Sequence, residues 1–136
     1  MYSIKDVRLI KFKSFFKGKE MLTPYTAKDN VPFHIKRIFF IGNVSKESKR
    51  GSHAHIKTSQ IFICYSGKIS VKCFDGKKTK LFRLKDQSVG LYVPPTIWYD
   101  ILYKDKKNSL MVLTDKIYLI NDYLETVGDY LKFRKK

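Results

Sequence analysis

A chain of 136 residues is long enough to enclose one hydrophobic core and too short for two, so residues 1–136 read as a single domain. Its 43% hydrophobic and 15% aromatic content excludes a disordered chain, and no apolar run approaches the roughly 18 residues of a membrane-spanning helix. The net charge of +16 invites a nucleic-acid reading, but the lysines are spread along the whole chain, only five arginines occur, and no zinc-finger, helix-turn-helix or RNA-binding aromatic pattern accompanies them.

The opening, MYSIKDVRLIKFKSFF, alternates apolar and polar residues loosely and reads as a strand over residues 1–16. Charges every few residues leave it without the apolar core of a signal peptide, which makes a cytoplasmic protein the expectation. Lys17-Gly18-Lys19 is a turn, and Glu20–Tyr25 a second strand ended by Pro24. After a polar loop, His34–Ile41 is rich in β-branched and aromatic residues and predicts a strand. Asn43–Lys49 is polar and reads as an exposed loop that delivers Arg50 to the segment that follows.

That segment, RGSHAHIKTSQIFICYSG over residues 50–67, holds the most informative chemistry. Strand residues i and i+2 project from one face, so His53 and His55 are expected side by side, about 6.5–7 Å apart. A turn at Ser66-Gly67 then predicts a hairpin in which Cys64 faces Ile69 and Cys73 faces Gln60, so the two cysteines are not partners and read as reduced thiols. Lys68–Phe74 alternates cleanly, Asp75-Gly76 is the strongest hairpin turn in the chain, and Thr79–Leu84 returns from it. Gly90–Val93 and Ile97–Tyr103 are short strands on either side of Pro94-Pro95, Asp105–Asn108 a charged turn, and Ser109–Thr114 the most apolar strand. Short strands punctuated every eight to twelve residues predict an all-β sandwich or barrel. Only the tail, Asn121–Phe133, has Tyr123, Leu124, Val127 and Leu131 at helical spacing and predicts a short C-terminal helix.

The spacing of Gly51, His53, His55, Gln60 and Gly67 resembles the first motif of the cupins, small jelly-roll β-barrels in which a His-x-His pair and a carboxylate hold a metal. A catalytic metal needs about three protein ligands with positions left open. Here Gln60 replaces the carboxylate and Tyr99 stands where a third His is expected, so the residues read as a metal-free site with no cofactor. Without metal, two imidazoles are proton-transfer groups, because histidine both takes and returns protons near neutrality.

The run from Arg37 through Gly67, then VGLYVPPTIWYDI and MVLTDKIYLINDYLETVGDYLKF, resembles the dTDP-4-keto-6-deoxyglucose 3,4-ketoisomerases over roughly residues 30–133. These are metal-free cupins of bacterial surface-sugar biosynthesis, and they too carry Gln at the position of Gln60. The resemblance implies that His55 removes the proton at C3 of a dTDP-linked 4-keto-6-deoxy sugar, and that His53 moves protons about the resulting enediol or to C4. It also implies a homodimer, with strands exchanged between subunits, and a product bound for dTDP-3-amino-3,6-dideoxy sugars of lipopolysaccharide O-antigen or capsule.

Around that centre, Arg50 and Arg37 are candidates for the diphosphate, since a guanidinium forks onto its oxygens. Lys57 shares the strand parity of His55 and adds charge. Trp98 is a candidate for stacking on a ring, or else a plug of the core. Gln60 and Tyr99 are candidates for hydrogen bonds to sugar oxygens; for Gln60 to face inward with His55, the alternation predicts a β-bulge between them. Tyr99, Lys17-Gly18, Phe39 and Phe40 depart from the family pattern and leave the C4 stereochemistry of the product open. Two other readings stand beside the ketoisomerase: a metal-dependent cupin enzyme, and a cupin that binds a sugar nucleotide without catalysis.

Overall fold

A computed structural model describes residues 1–136. In chain order the strands are β1 (Arg8–Lys11), β2 (Phe15–Lys17), β3 (Glu20–Leu22), β4 (Arg37–Ser45), β5 (Ser52–His55), β6 (Gln60–Ser66), β7 (Ile69–Phe74), β8 (Thr79–Leu84), β9 (Val89–Val93), β10 (Trp98–Tyr103), β11 (Lys107–Thr114) and β12 (Tyr123–Leu124), followed by one helix, α1 (Val127–Arg134). They form two five-stranded antiparallel sheets, ordered β1-β9-β6-β11-β4 and β12-β5-β10-β7-β8, with β2 and β3 as a separate hairpin. The fold is therefore the expected all-β jelly roll with a short C-terminal helix. It is an open sandwich, because the two sheets share no hydrogen-bonded edge and do not close into a barrel. No helix is long and apolar enough to cross a membrane.

The main core lies between the sheets, where Phe62, Leu91, Leu110 and Val112 meet Val71, Cys73, Tyr99 and Ile101. A second cluster covers the outer face of the first sheet: Phe12, Val31 and Phe33 from the N-terminal segment pack on Ile61, Ile63, Met111 and Leu113. β6 and β11 are thus buried on both faces, which is why Ile61–Cys64 and Leu110–Leu113 are unbroken apolar runs instead of alternating ones. On the outer face of the second sheet, Tyr130 of α1 packs against Ala54 and Trp98, and its hydroxyl lies 2.9 Å from the carbonyls of both Phe74 and Thr96.

Several elements differ from expectation. β6 and β7 are not a hairpin: β6 pairs with β9 and β11, β7 with β8 and β10, and the chain turns from one sheet to the other at Gly67. Both edges of β6 are taken by these strands, which leaves none for β7. Gly67 adopts φ +81°, and a Cβ there would lie 2.5 Å from the Lys107 carbonyl oxygen, so the corner accepts only glycine. Cys64 and Cys73 are unpaired buried thiols in different sheets. β4 starts at Arg37 instead of His34 and runs on to Ser45, consuming part of the segment expected as a loop, because β11 begins at Lys107 and pairs with it along that whole length. The opening strand is broken into a 3-10 turn at Ile4–Asp6, capped by Ser3, and the short strands β1 and β2.

The corner at Gly67 also rests on Asn108, which is completely buried. Its Oδ1 accepts from the backbone N–H groups of Lys68 and Asp105 at 3.0 and 3.2 Å, and its Nδ2 donates to the carbonyls of Val44 and Asp105 at 3.0 and 2.9 Å. One side chain therefore ties β4 to the turns before β7 and after β10. Asn108→Ala removes four hydrogen bonds to the backbone, the one to Val44 buried, and is expected to cost about 3 kcal/mol, read as a lowered denaturant midpoint; a loss below about 0.5 kcal/mol would contradict this role.

Candidate active site

β5 reads Ser-His-Ala-His, and its alternation places Ala54 outward under α1 while His53 and His55 point inward between the sheets. The imidazole centroids are 5.2 Å apart. The turn into β5 needs a glycine, since Gly51 sits at φ +94° and a Cβ there would be 2.8 Å from Ile101 Cδ1. Each histidine has a cross-strand neighbour: Tyr99 of β10 opposite His53, and Tyr123 of β12 opposite His55.

Gln60 reaches the same space without a bulge. The chain leaves the second sheet after His55, crosses through the loop Ile56–Ser59, and enters the first sheet at Gln60. Residues 55 and 60 therefore belong to facing sheets, and the register argument that called for a bulge does not apply. The amide Nε2 of Gln60 lies 2.7 Å from His55 Nε2. The other imidazole nitrogen, Nδ1, is 3.0 Å from Asp122 Oδ2. A carboxylate can only accept, so Nδ1 carries the proton and Nε2 presents its lone pair.

Asp122 is the residue that sequence reasoning missed. It was expected inside a helix over Asn121–Phe133, but the chain makes a 3-10 turn at Ile120–Asp122 and then pairs as β12, and α1 begins only after Thr126, whose side chain accepts from the Asp129 N–H. The turn aims the carboxylate inward, where it also accepts from Thr58 Oγ1 and, at 2.6 Å, from the Lys57 N–H. Burial by itself would raise its pKa, but these donors together with His55 hold it below the usual carboxylate range. Burial lowers the pKa of His55, against the pull of Asp122, so the resting pair is a neutral imidazole beside an anion.

The second histidine is arranged differently. His53 Nε2 is 2.7 Å from the Tyr99 hydroxyl. Complete burial pushes the Tyr99 phenol well above its ordinary pKa, so it stays protonated and donates to His53. His53 is pushed down from 6.5 to about 4, first by burial and then by His55 alongside it. Because the folded protein protonates His53 less readily than the unfolded chain, stability is fully present above about pH 6.5 and is lost as pH falls toward 4. Thermal melts are expected to be level above pH 7 and to decline from about pH 6.5 downward; a melting temperature unchanged to pH 4.5 would contradict the assignment.

His53, His55, Gln60, Tyr99, Arg37 and Arg50 line one cavity of about 350 Å³. Its floor is apolar, formed by Ile41, Phe62, Leu110 and Val112 among others, and its polar groups come from both sheets, His53, His55 and Tyr99 from one and Arg37 and Gln60 from the other. Arg37 is held at the wall by two rings, 4.6 Å from the centroid of Phe39 and 5.2 Å from that of Tyr118. Arg50 is exposed at the rim and forms no salt bridge. Two predicted site residues are elsewhere. Lys57 lies in the crossing loop with its side chain exposed, because β5 ends at His55 and the parity argument ends with it. Trp98 faces away from the cavity and plugs the core beneath Tyr130, the second of the two roles its position allowed. No three His, Cys, Asp or Glu side chains come together as a metal-binding group.

Residues 5–135 match the family described as FdtA: WxcM-like, C-terminal. The TDP-4-oxo-6-deoxy-alpha-D-glucose-3,4-oxoisomerase of Aneurinibacillus thermoaerophilus is 31% identical over 129 residues, 95% of this chain and 93% of that protein. Among solved structures, QdtA, a sugar 3,4-ketoisomerase from Thermoanaerobacterium thermosaccharolyticum in complex with TDP, superposes with a TM-score of 0.92 at 34% identity, covering 98% of this chain and 97% of that one. WlaRA, the TDP-fucose-3,4-ketoisomerase of Campylobacter jejuni, gives a TM-score of 0.86 at 31% identity, covering 95% and 96%.

Proposed function

The chain belongs to the FdtA family (WxcM-like, C-terminal), and from that premise we propose that it is a sugar-nucleotide 3,4-ketoisomerase acting on dTDP-4-keto-6-deoxy-D-glucose. The observation that carries this reading is His55, whose Nδ1 proton is held by Asp122 at 3.0 Å, leaving on Nε2 a lone pair at the cavity wall that the Gln60 amide covers at 2.7 Å and substrate takes over. An imidazole so held is a base ready to take a carbon-bound proton.

The C4 ketone acidifies the proton at C3. His55 Nε2 removes it, the electron pair moves into a C3–C4 double bond, and the C4 oxygen gains a proton to give the enediol. The C3 hydroxyl then gives up its proton, the double bond shifts to a C3 ketone, and C4 accepts a proton. In net terms the substrate loses hydrogen from C3 and O3 and gains it at C4 and O4, so no redox cofactor takes part in the balance. His53 and Tyr99, joined by a 2.7 Å hydrogen bond, serve the proton movements at the oxygens. With Nε2 accepting from Tyr99, neutral His53 carries its proton on Nδ1; it gives that proton to the C4 oxygen as the phenol's proton passes to Nε2, and the reverse movement takes up the proton of the C3 hydroxyl. When His55 becomes an imidazolium, Asp122 turns from a hydrogen-bond acceptor into the counter-ion of a buried pair, which stabilises the charge as it forms.

Arg37 and Arg50, at the wall and rim of the cavity, are assigned to the diphosphate, and the nucleoside extends outward past them. The product is a dTDP-3-keto-6-deoxyhexose, fit for amination at C3 on the way to surface polysaccharide. A homodimer with exchanged strands fits the apolar side chains the single chain leaves exposed, Phe15, Phe16 and Leu22 on the β2–β3 hairpin and Phe40 on β4. Two buried unpaired thiols fit a reducing cytoplasm.

The test is proton NMR of dTDP-4-keto-6-deoxyglucose with the protein in D2O. Loss of the C3 proton signal together with a new 3-keto species is the expected result, and the coupling at C4 then assigns the gluco or galacto product. Binding of the nucleotide with neither exchange nor a new ketone would replace this reading with a non-catalytic sugar-nucleotide-binding protein.

A further inference from the structure

The hydrogen bond between Gln60 and His55 carries a consequence for how the base is kept ready. Gln60 is almost fully buried, at 4% exposure, and its Nε2 donates to the one imidazole nitrogen that can act as base. Its Oε1 is buried with no donor. A buried amide oxygen without a partner is costly in an otherwise satisfied site, and here it sits on the same planar group that caps the lone pair. Rotation about the last torsion of the side chain exchanges the two atoms, and that torsion is broad and roughly two-fold.

We infer that Gln60 is a positioning residue that holds His55 in its proton-accepting form at rest, gives up its hydrogen bond to Nε2 when the substrate's C–H takes that place, and, by rotating its amide, receives the N–H left on His55 after the transfer. In the resting state only an NH2 can satisfy the unprotonated nitrogen. In the protonated state only an oxygen can. An amide supplies both in turn from one position and is neutral in each. A carboxylate in the same place offers acceptors alone; it would face the lone pair of neutral His55 unfavourably and draw a proton onto it before substrate arrives. The inference rests on the assignment of His55 as the base.

The charged and titratable groups about His55 set the background for this effect. Asp122 from the 3-10 turn and Asp115 after β11 favour its protonation, and Arg37 from β4 opposes it. His53, Tyr99 and Tyr123 face it from β5, β10 and β12, burial keeping His53 and Tyr99 neutral at pH 7, and Lys116 lies behind it with Thr114. None of these groups touches His55 Nε2, so the group at position 60 is the direct partner of that nitrogen.

The experiment is 15N NMR of the histidine side chains in the free protein, followed with pH, for the wild type, Gln60→Glu and Gln60→Leu. In the wild type and Gln60→Leu, His55 Nε2 is expected to keep the shift of an unprotonated nitrogen through pH 7. In Gln60→Glu it is expected to show an imidazolium, with its titration displaced upward by about one pH unit or more. Steady-state rates should follow: Gln60→Glu loses activity at pH 7 and regains part of it at alkaline pH, whereas Gln60→Leu is slow at every pH. An unprotonated His55 in Gln60→Glu at pH 7, or equal displacement in both variants, overturns the inference. The NMR readout needs no substrate. A displaced titration in a protein that performs no ketoisomerisation would therefore reject the proposed function and leave the inference standing.

Discussion

His55→Asn is expected to reduce ketoisomerisation by about 10³-fold or more while the protein stays folded. The reaction begins at a carbon acid, and His55 Nε2 carries the basic lone pair at the cavity wall, set by a carboxylate behind the ring and covered at rest by the Gln60 amide. An asparagine amide nitrogen has no basic lone pair, so removal of the C3 proton would fall to water or to His53. The latter is poorly suited, since its Nε2 already accepts from Tyr99 and its pKa lies near 4. The fold should survive because the asparagine amide still donates toward Asp122, and the neighbours that bury position 55 are strands β10 and β12, paired through the backbone. The measurement is deuterium entry at C3 beside a thermal melt. A variant that exchanges at nearly the wild-type rate would remove His55 from the mechanism; one that fails to melt cooperatively would call for His55→Gln as the replacement.

How far the site could be read from the sequence follows from the distance over which each residue's position is decided. His53 and His55 are two residues apart on one strand, and strand alternation alone puts them on the same face. Gln60 and Tyr99 were legible because each occupies a place where a metal-binding cupin needs a different residue. Arg37 and Arg50 were legible by charge, and both do reach the cavity. Asp122 was not. It lies 67 residues from its partner in the chain, and the apolar spacing of Tyr123, Leu124, Val127 and Leu131 fits a helix as well as it fits a strand followed by a shorter helix. What decides between them is the free edge of β5, which Tyr123 and Leu124 pair with, and an edge is a property of the assembled sheet. Lys57 failed for a related reason: parity holds only while the strand lasts, and nothing local announces that the strand stops at His55. The same holds for the fold. The all-β class, hairpin β7–β8 and the C-terminal helix were readable from turns and periodicity, whereas the partners of β6 depend on contacts far along the chain.

Asp122→Asn provides the second large expected effect, a fall in kcat of about 10²–10⁴-fold with KM changed little. The side chain keeps its shape but presents one oxygen in place of two. Asp122 accepts three hydrogen bonds, from Thr58 Oγ1, the Lys57 N–H and His55 Nδ1. The amide must turn an NH2 toward one of these donors, and the Lys57 N–H is a backbone group fixed in the crossing loop. If the NH2 faces His55, Nδ1 becomes the acceptor and the ring proton moves to Nε2, which removes the lone pair from the cavity. If the oxygen faces His55, the tautomer survives but the anion that favours the imidazolium is gone, and the base becomes weaker still than burial has made it. Both arrangements slow proton abstraction and neither alters the wall that holds the nucleotide, since Asp122 is not among the residues lining the main cavity. A purely structural role for Asp122, tying the 3-10 turn to the loop after β5, would instead lower the melting temperature and leave kcat intact in the folded fraction. Steady-state kinetics below the melting temperature separate the two, and a kcat within about threefold of wild type would reduce Asp122 to that structural role. With the tautomer lost, added imidazole, small enough for a cavity of about 350 Å³, is expected to restore part of the rate in His55→Gly and none of it in Asp122→Asn, where the ring is still in place.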